Sequence, residues 1–108
     1  MREYEMMFIL DPELDVEKRK EIYNKLENLI KENGGEILKV DDWGIREFAY
    51  PIRHKNSGFY SVWEFKSGPE LPIFLRNQIR LIREIFRVMI LRKENVKSFK
   101  GKKEVEVG

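Results

Sequence analysis

Pro51 lies near the end of an extended run, Glu36 to Ile52, and it narrows what this chain can become more than any other residue. Proline has no N–H to give to a sheet ladder, so a strand that contains it belongs at a sheet edge. In the same run the apolar positions Leu38, Val40, Trp43, Ile45, Phe48, Tyr50 and Ile52 change parity around Gly44, which predicts a bulge or bend there. The polar turn RHKNSG (53–58) then returns the chain into a third extended run, Phe59 to Phe65, so the two runs form a long hairpin.

The remaining segments fit around that hairpin. Glu3 to Leu10 alternates, with Tyr4, Met6, Phe8 and Leu10 on one face and Glu5, Met7 and Ile9 on the other, and Asp11-Pro12 ends it. Asp15 is a candidate N-cap for a helix over Val16–Asn33, whose stripe of Val16, Arg19, Ile22, Tyr23, Leu26, Leu29 and Ile30 is followed by Gly34-Gly35. Pro72 is tolerable in the first turn of a second helix over Glu70–Ile82, and Ile85–Leu91 reads as the last strand. The order β-α-β-β-α-β predicts an α+β, ferredoxin-like fold, a four-stranded antiparallel sheet with two helices on one face. The usual strand order of that plan puts the second strand at an edge, where Pro51 independently places it. Residues 1–93 form the expected single domain, and 94–108, ENVKSFKGKKEVEVG, a charged and flexible tail.

With 108 residues and 42% apolar content, one core forms without staples, and the absence of cysteine excludes thiol nucleophiles, disulfides and thiolate metal sites. No apolar run reaches a membrane span and no secretory signal is visible, so the expectation is a cytoplasmic protein without a membrane partner. Net charge is +2, yet residues 1–42 carry seven Lys/Arg against twelve Asp/Glu, and residues 43–108 carry fourteen against seven. This asymmetry permits one basic face.

Catalytic chemistry finds no support. His54 sits in a polar turn between Arg53 and Lys55, without a serine, cysteine or carboxylate at triad spacing, and Glu47 and Glu64 read as an ordinary cross-strand pair. Metal-ligand spacings are absent, and Gly34-Gly35 follows a helix where a phosphate cradle would precede one. The loop LDPELD after the first strand is acidic and glycine-free, unlike the phosphate loop of small phosphatases with this plan. No catalytic residue, metal, cofactor or small-molecule substrate is expected. The base-stacking platform of RNA-recognition modules is equally disfavoured, since SGFYSVWEF matches its third-strand pattern only at Phe59 and Val62.

What is left is binding. If the helices cover Tyr4, Met6, Phe8, Leu10, Tyr60, Val62, Val88 and Ile90, the open face carries Phe59, Trp63, Phe65, Met89 and Leu91, an apolar surface suited to a protein partner. The basic residues Arg76, Arg80, Arg83, Arg87, Arg92 and Lys93 cluster in the C-terminal third against Glu84 alone, and arginine's fork matches phosphate. Arg2, Arg46, Arg80, Arg87, Arg92 and Lys93 are the expected RNA-facing residues, as phosphate contacts. Phe59, Trp63, Phe65, Met89 and the tail residue Phe99 are the expected partner surface.

The segment GIREFAYPIR, Gly44 to Arg53, resembles the diagnostic segment of bacterial small-subunit ribosomal protein S6: Gly44, Arg46, Glu47, Ala49, Tyr50, Ile52 and Arg53 fit, and Phe48 replaces a leucine. MREYEMMFIL resembles the family's opening, DPELD its first turn and RVMILR its last strand. The resemblance covers residues 1 to about 93. It implies a non-catalytic protein of the small ribosomal subunit that binds the central domain of small-subunit rRNA together with ribosomal protein S18, within the cytoplasm.

Overall fold

A computed structural model describes residues 1–93. Strand β1 (Arg2–Leu10) leads through a short turn into helix α1 (Val16–Glu32). The Asp15 carboxylate accepts the Lys18 backbone N–H at 2.8 Å, satisfying a donor that the first turn of a helix leaves without a partner. Gly34, at φ +83°, takes the left-handed conformation that turns the chain out of α1, and the Gly35 N–H donates back to the Ile30 carbonyl. Strands β2 (Glu36–Ile52) and β3 (Lys55–Ser67) follow, then helix α2 (Leu71–Ile79) and strand β4 (Ile85–Arg92). All strand pairs are antiparallel in the order β2-β3-β1-β4, so β2 is an edge strand, where Pro51 costs no ladder bond to a second neighbour.

Four irregularities shape the sheet, the first between Ile37 and Lys39, which leaves Leu38 as an extra residue of β2. The β2–β3 register shifts between Asp42 and Gly44, with Gly44 at φ +87°. It shifts again between Glu47↔Ser57 and Ile52↔Lys55, so Phe48, Ala49, Tyr50 and Pro51 bow out against Asn56 alone. In β4, Leu10 pairs with Ile85 and Ile9 with Arg87, leaving Phe86 as the extra residue of a bulge. The hairpin is also longer than the sequence suggests. Its turn is the dipeptide Arg53-His54, both at positive φ (51° and 64°), and residues 55–58 already belong to β3.

The main core lies between the sheet and both helices. Tyr4, Met6, Phe8 and Leu10 of β1 meet Ile22, Leu26 and Ile30 of α1 and Leu71, Leu75 and Ile79 of α2. Here the expected facing of β3 is reversed. Tyr4 pairs with Phe65 and Met6 with Trp63, and paired residues share a face, so these rings lie under the helices. Trp63 is 1% exposed and Phe65 0%. Trp63 packs edge-on to Phe8 and Tyr23, and Phe65 stacks on Tyr4 at 5.5 Å. Phe59 belongs to the same side, half-buried beneath the Arg19 guanidinium at 4.3 Å. Conversely, Tyr60 and Val62 lie on the other face with Met7 and Ile9, where Trp43, Phe48, Phe86 and Leu91 pack against them.

A polar tie links α1 to the edge strand. Tyr23 Oη donates to Asp42 Oδ1 at 2.6 Å, Ser61 Oγ donates to the same oxygen at 2.8 Å, and Trp63 Nε1 donates to Ser61 Oγ at 3.1 Å. This network explains why a serine interrupts the aromatic series of β3: it satisfies the buried indole N–H.

Candidate nucleic-acid interface

The six basic residues expected to face RNA do not form one surface. Arg2 lies opposite Ser67 on β1 and Arg92 opposite Tyr4 on β4, so both belong to the end of the sheet where β1 begins. Lys93 lies beside them but is held: its backbone N–H donates to the Glu3 carbonyl at 2.8 Å and its ammonium sits 3.2 Å from Glu64. Arg87 is opposite Ile9, five residues and so about 17 Å further along the strand. Arg46 is on β2, three strand spacings from β4, or about 14 Å across the sheet, with its guanidinium over Trp43 at 4.9 Å.

The arginine series 76, 80, 83 and 87 starts on α2 but leaves it. The helix stops at Ile79, Arg80 is its C-cap, and buried Ile82 and Ile85 anchor the turn that follows. That turn leaves Arg80 and Arg83 exposed, and the bulge at Phe86 carries the chain to Arg87, also exposed. The hairpin tip arrives at the same corner. Arg53 Nη1 donates to the Arg83 carbonyl at 2.8 Å, and its guanidinium lies 5.3 Å from the centre of the Phe86 ring. Sequence reading placed Arg53 in a turn and assigned it no binding role. Its only signal was the basic tripeptide Arg53-His54-Lys55, and the contact with residue 83 is not visible locally.

Charge at this corner is divided between engaged and unengaged groups. Lys55 pairs with Glu13 at 2.9 Å, and that hydrogen bond raises its pKa. Glu84 lies 3.8 Å from Lys18, which also reaches Glu21 at 3.4 Å. Arg53, Arg80, Arg83 and Arg87 make no ion pair with an acid among the described residues. They leave a surface of guanidinium donors suited to phosphate oxygens.

Of the expected partner surface, Trp63 and Phe65 are buried under the helices and offer no surface, and Phe59 is half covered there. Met89, on the open face opposite Met7, is 41% exposed. Phe99 lies outside the described residues. His54 is exposed at the hairpin tip. Among the described residues no group of three or more His, Cys, Asp or Glu side chains could hold a metal ion, and no helix is long and apolar enough to cross a membrane.

Comparison with known proteins agrees with both the fold and the sequence signature. A small ribosomal subunit protein bS6 of Caldanaerobacter subterraneus is 40% identical over 95 residues, covering 88% of this chain and 100% of that one. The corresponding protein of Clostridium novyi is 42% identical over 94 residues, covering 87% and 99%. The crystal structure of the 30S ribosomal protein S6 from Thermotoga maritima superposes with a TM-score of 0.79 at 35% identity, over 85% of this chain and 87% of that one. The family model for ribosomal protein S6 matches residues 3–92, nearly the whole span from β1 to β4. With strand order, signature segment and relatives in agreement, this chain belongs to the ribosomal protein S6 family.

Proposed function

We propose that this chain is a structural, non-catalytic protein of the small ribosomal subunit in the cytoplasm, which binds the central domain of small-subunit rRNA cooperatively with ribosomal protein S18. Family membership across residues 3–92 is the observation that carries this reading. The relatives are named as small-subunit proteins, and Arg80, Arg83 and Arg87, exposed and without an ion pair among the described residues, supply phosphate contacts that position the protein without reading bases. A net charge of +2 gives little long-range attraction for RNA, which is why a second protein is needed for tight binding. Met89 is the exposed member of the partner surface on the open face.

A mobility-shift titration of central-domain rRNA, with and without the S18 partner, tests the reading. Weak binding alone and tight binding together is expected, since each protein should strengthen the other's affinity by the same factor. Equal affinity in both conditions would refute the cooperative part. Arg87→Ala should lower the salt slope of complex formation by about 0.7 to 0.9, the value of one phosphate contact. An unchanged slope would remove Arg87 from the interface.

A further inference from the structure

Resting on that RNA-binding reading, we infer that the β2–β3 hairpin tip and the α2–β4 turn together form a phosphate-binding corner, with Arg53 and Arg83 as rRNA contacts alongside Arg80 and Arg87. Three features converge on this place.

The first is charge. The four arginines are exposed, and none is ion-paired with an acid among the described residues. The nearby acids are otherwise occupied. Glu13 holds Lys55, the Asp11 charge acts on the same ammonium, and Glu84 faces Lys18. The corner therefore presents guanidinium groups whose opposing charge must come from outside.

The second is preorganisation. Arg53 has five N–H donors. One is spent on the Arg83 carbonyl at 2.8 Å, the plane lies over Phe86, and the rest remain available. The β4 bulge makes this possible: two residues, Phe86 and Arg87, oppose the single position Ile9, so the ring that supports Arg53 and the next arginine emerge together. A side chain already fixed in its binding pose loses little freedom when a phosphate arrives.

The third is the turn itself. A two-residue hairpin loop with positive φ at both positions favours Asn-Gly, because other residues resist the left-handed region. Here the pair is Arg53-His54, at 51° and 64°. Strain of this kind, held in place by a tertiary hydrogen bond, marks positions kept for something other than folding. The sequence has a cation where a neutral turn pair would suit the backbone better.

The decisive experiment measures the salt dependence of assembly of the full chain with the S18 partner on central-domain rRNA, between 50 and 200 mM salt. Arg53→Asn/His54→Gly gives the turn its preferred residues, which offsets the lost contacts to Arg83 and Phe86, so the variant should remain folded with a melting temperature close to that of the unsubstituted chain. Its salt slope should nevertheless fall by about 0.7 to 0.9, which makes the loss of affinity over this salt range roughly threefold smaller. Arg83→Ala removes a charge but keeps the carbonyl that anchors Arg53, and should lower the slope by a similar amount. Lys25→Ala, exposed on α1, should leave it unchanged. Unaltered slopes in both corner variants, with the unsubstituted chain binding normally, would overturn the corner and leave the broader reading standing. Failure of the unsubstituted chain to bind rRNA even with the partner would overturn the RNA reading itself, and the corner with it.

Discussion

Replacing Gly58 by alanine tests how the open face of the sheet is packed, because the two mechanisms acting at this glycine have opposite signs. Its φ is not in the left-handed region, so backbone conformation alone would let alanine stabilise the fold by about 0.4–1 kcal/mol through a less flexible unfolded chain. Space decides otherwise. An added Cβ would lie 2.4 Å from Ile9 Cγ2 and 2.8 Å from Phe48 Cζ, both closer than real contacts allow. Ile9 is fully buried on the central strand and cannot withdraw, while Phe48 sits on the bowed segment of β2 and has some room to move. Overpacking of this size costs about 1–3 kcal/mol. For a domain of this length that corresponds to a fall of roughly 5–20 °C in Tm. Urea unfolding followed by circular dichroism should show a lower midpoint with an unchanged slope. Combining Gly58→Ala with Phe48→Leu should recover part of the loss, a coupling of about 0.5–2 kcal/mol, while the clash with Ile9 persists. A Gly58→Ala variant as stable as the parent, or more so, would refute this account of the face.

Two other perturbations address the helix-covered side. Trp63→Ala should cost about 3–5 kcal/mol in unfolding experiments, the loss expected for a buried ring; a variant that stays stable and instead loses partner binding would restore Trp63 to the surface. Tyr23→Phe should cost about 1–2 kcal/mol at neutral pH, since Asp42 then keeps, among the described residues, the Ser61 hydroxyl as its one side-chain donor. Burial, and then the hydrogen bond to Asp42, push the Tyr23 hydroxyl well above its ordinary value of 10.0. The folded state therefore holds this proton more tightly than the unfolded chain. Its contribution is fully present below pH 10 and declines as pH rises beyond it. Denaturation midpoints measured from pH 8 upward should show that decline in the parent and a shallower one in Tyr23→Phe.

Much of the architecture was legible because local rules and the global fold point the same way. Pro51 marked the edge, Asp15 and Gly34 bounded α1, Gly44 marked a bulge, and the alternation of β4 correctly separated Val88 and Ile90 from Met89. The facing of β3 was not legible, for a physical reason: Phe59, Trp63 and Phe65 on one parity and Tyr60 and Val62 on the other are all apolar, because both sides of this strand are covered. Register with β1 decided it, and register is a long-range property. Ser61 held a clue, as a hydroxyl between two large rings signals a buried donor to be satisfied, here Trp63 Nε1. The proposed basic corner was half legible. Counting arginines pointed to the α2–β4 region, but the helix expected over Glu70–Ile82 ends at Ile79, so Arg80 caps it instead of lying on its face. The Arg53 contribution depends on a hydrogen bond spanning thirty residues.

The strand order also has a consequence for how this chain is made. β1 is an inner strand of the sheet, flanked by β3 and by β4, the last element among the described residues. From Leu10 to Arg92 are 82 residues, roughly 4–16 s of elongation at typical rates. Throughout that interval Met6–Leu10, five consecutive apolar residues, lacks at least one of its two neighbours. A member of a ribosomal protein family thus cannot close its own sheet until the ribosome making it has added β4, and the nascent β1 must be shielded from other chains until then.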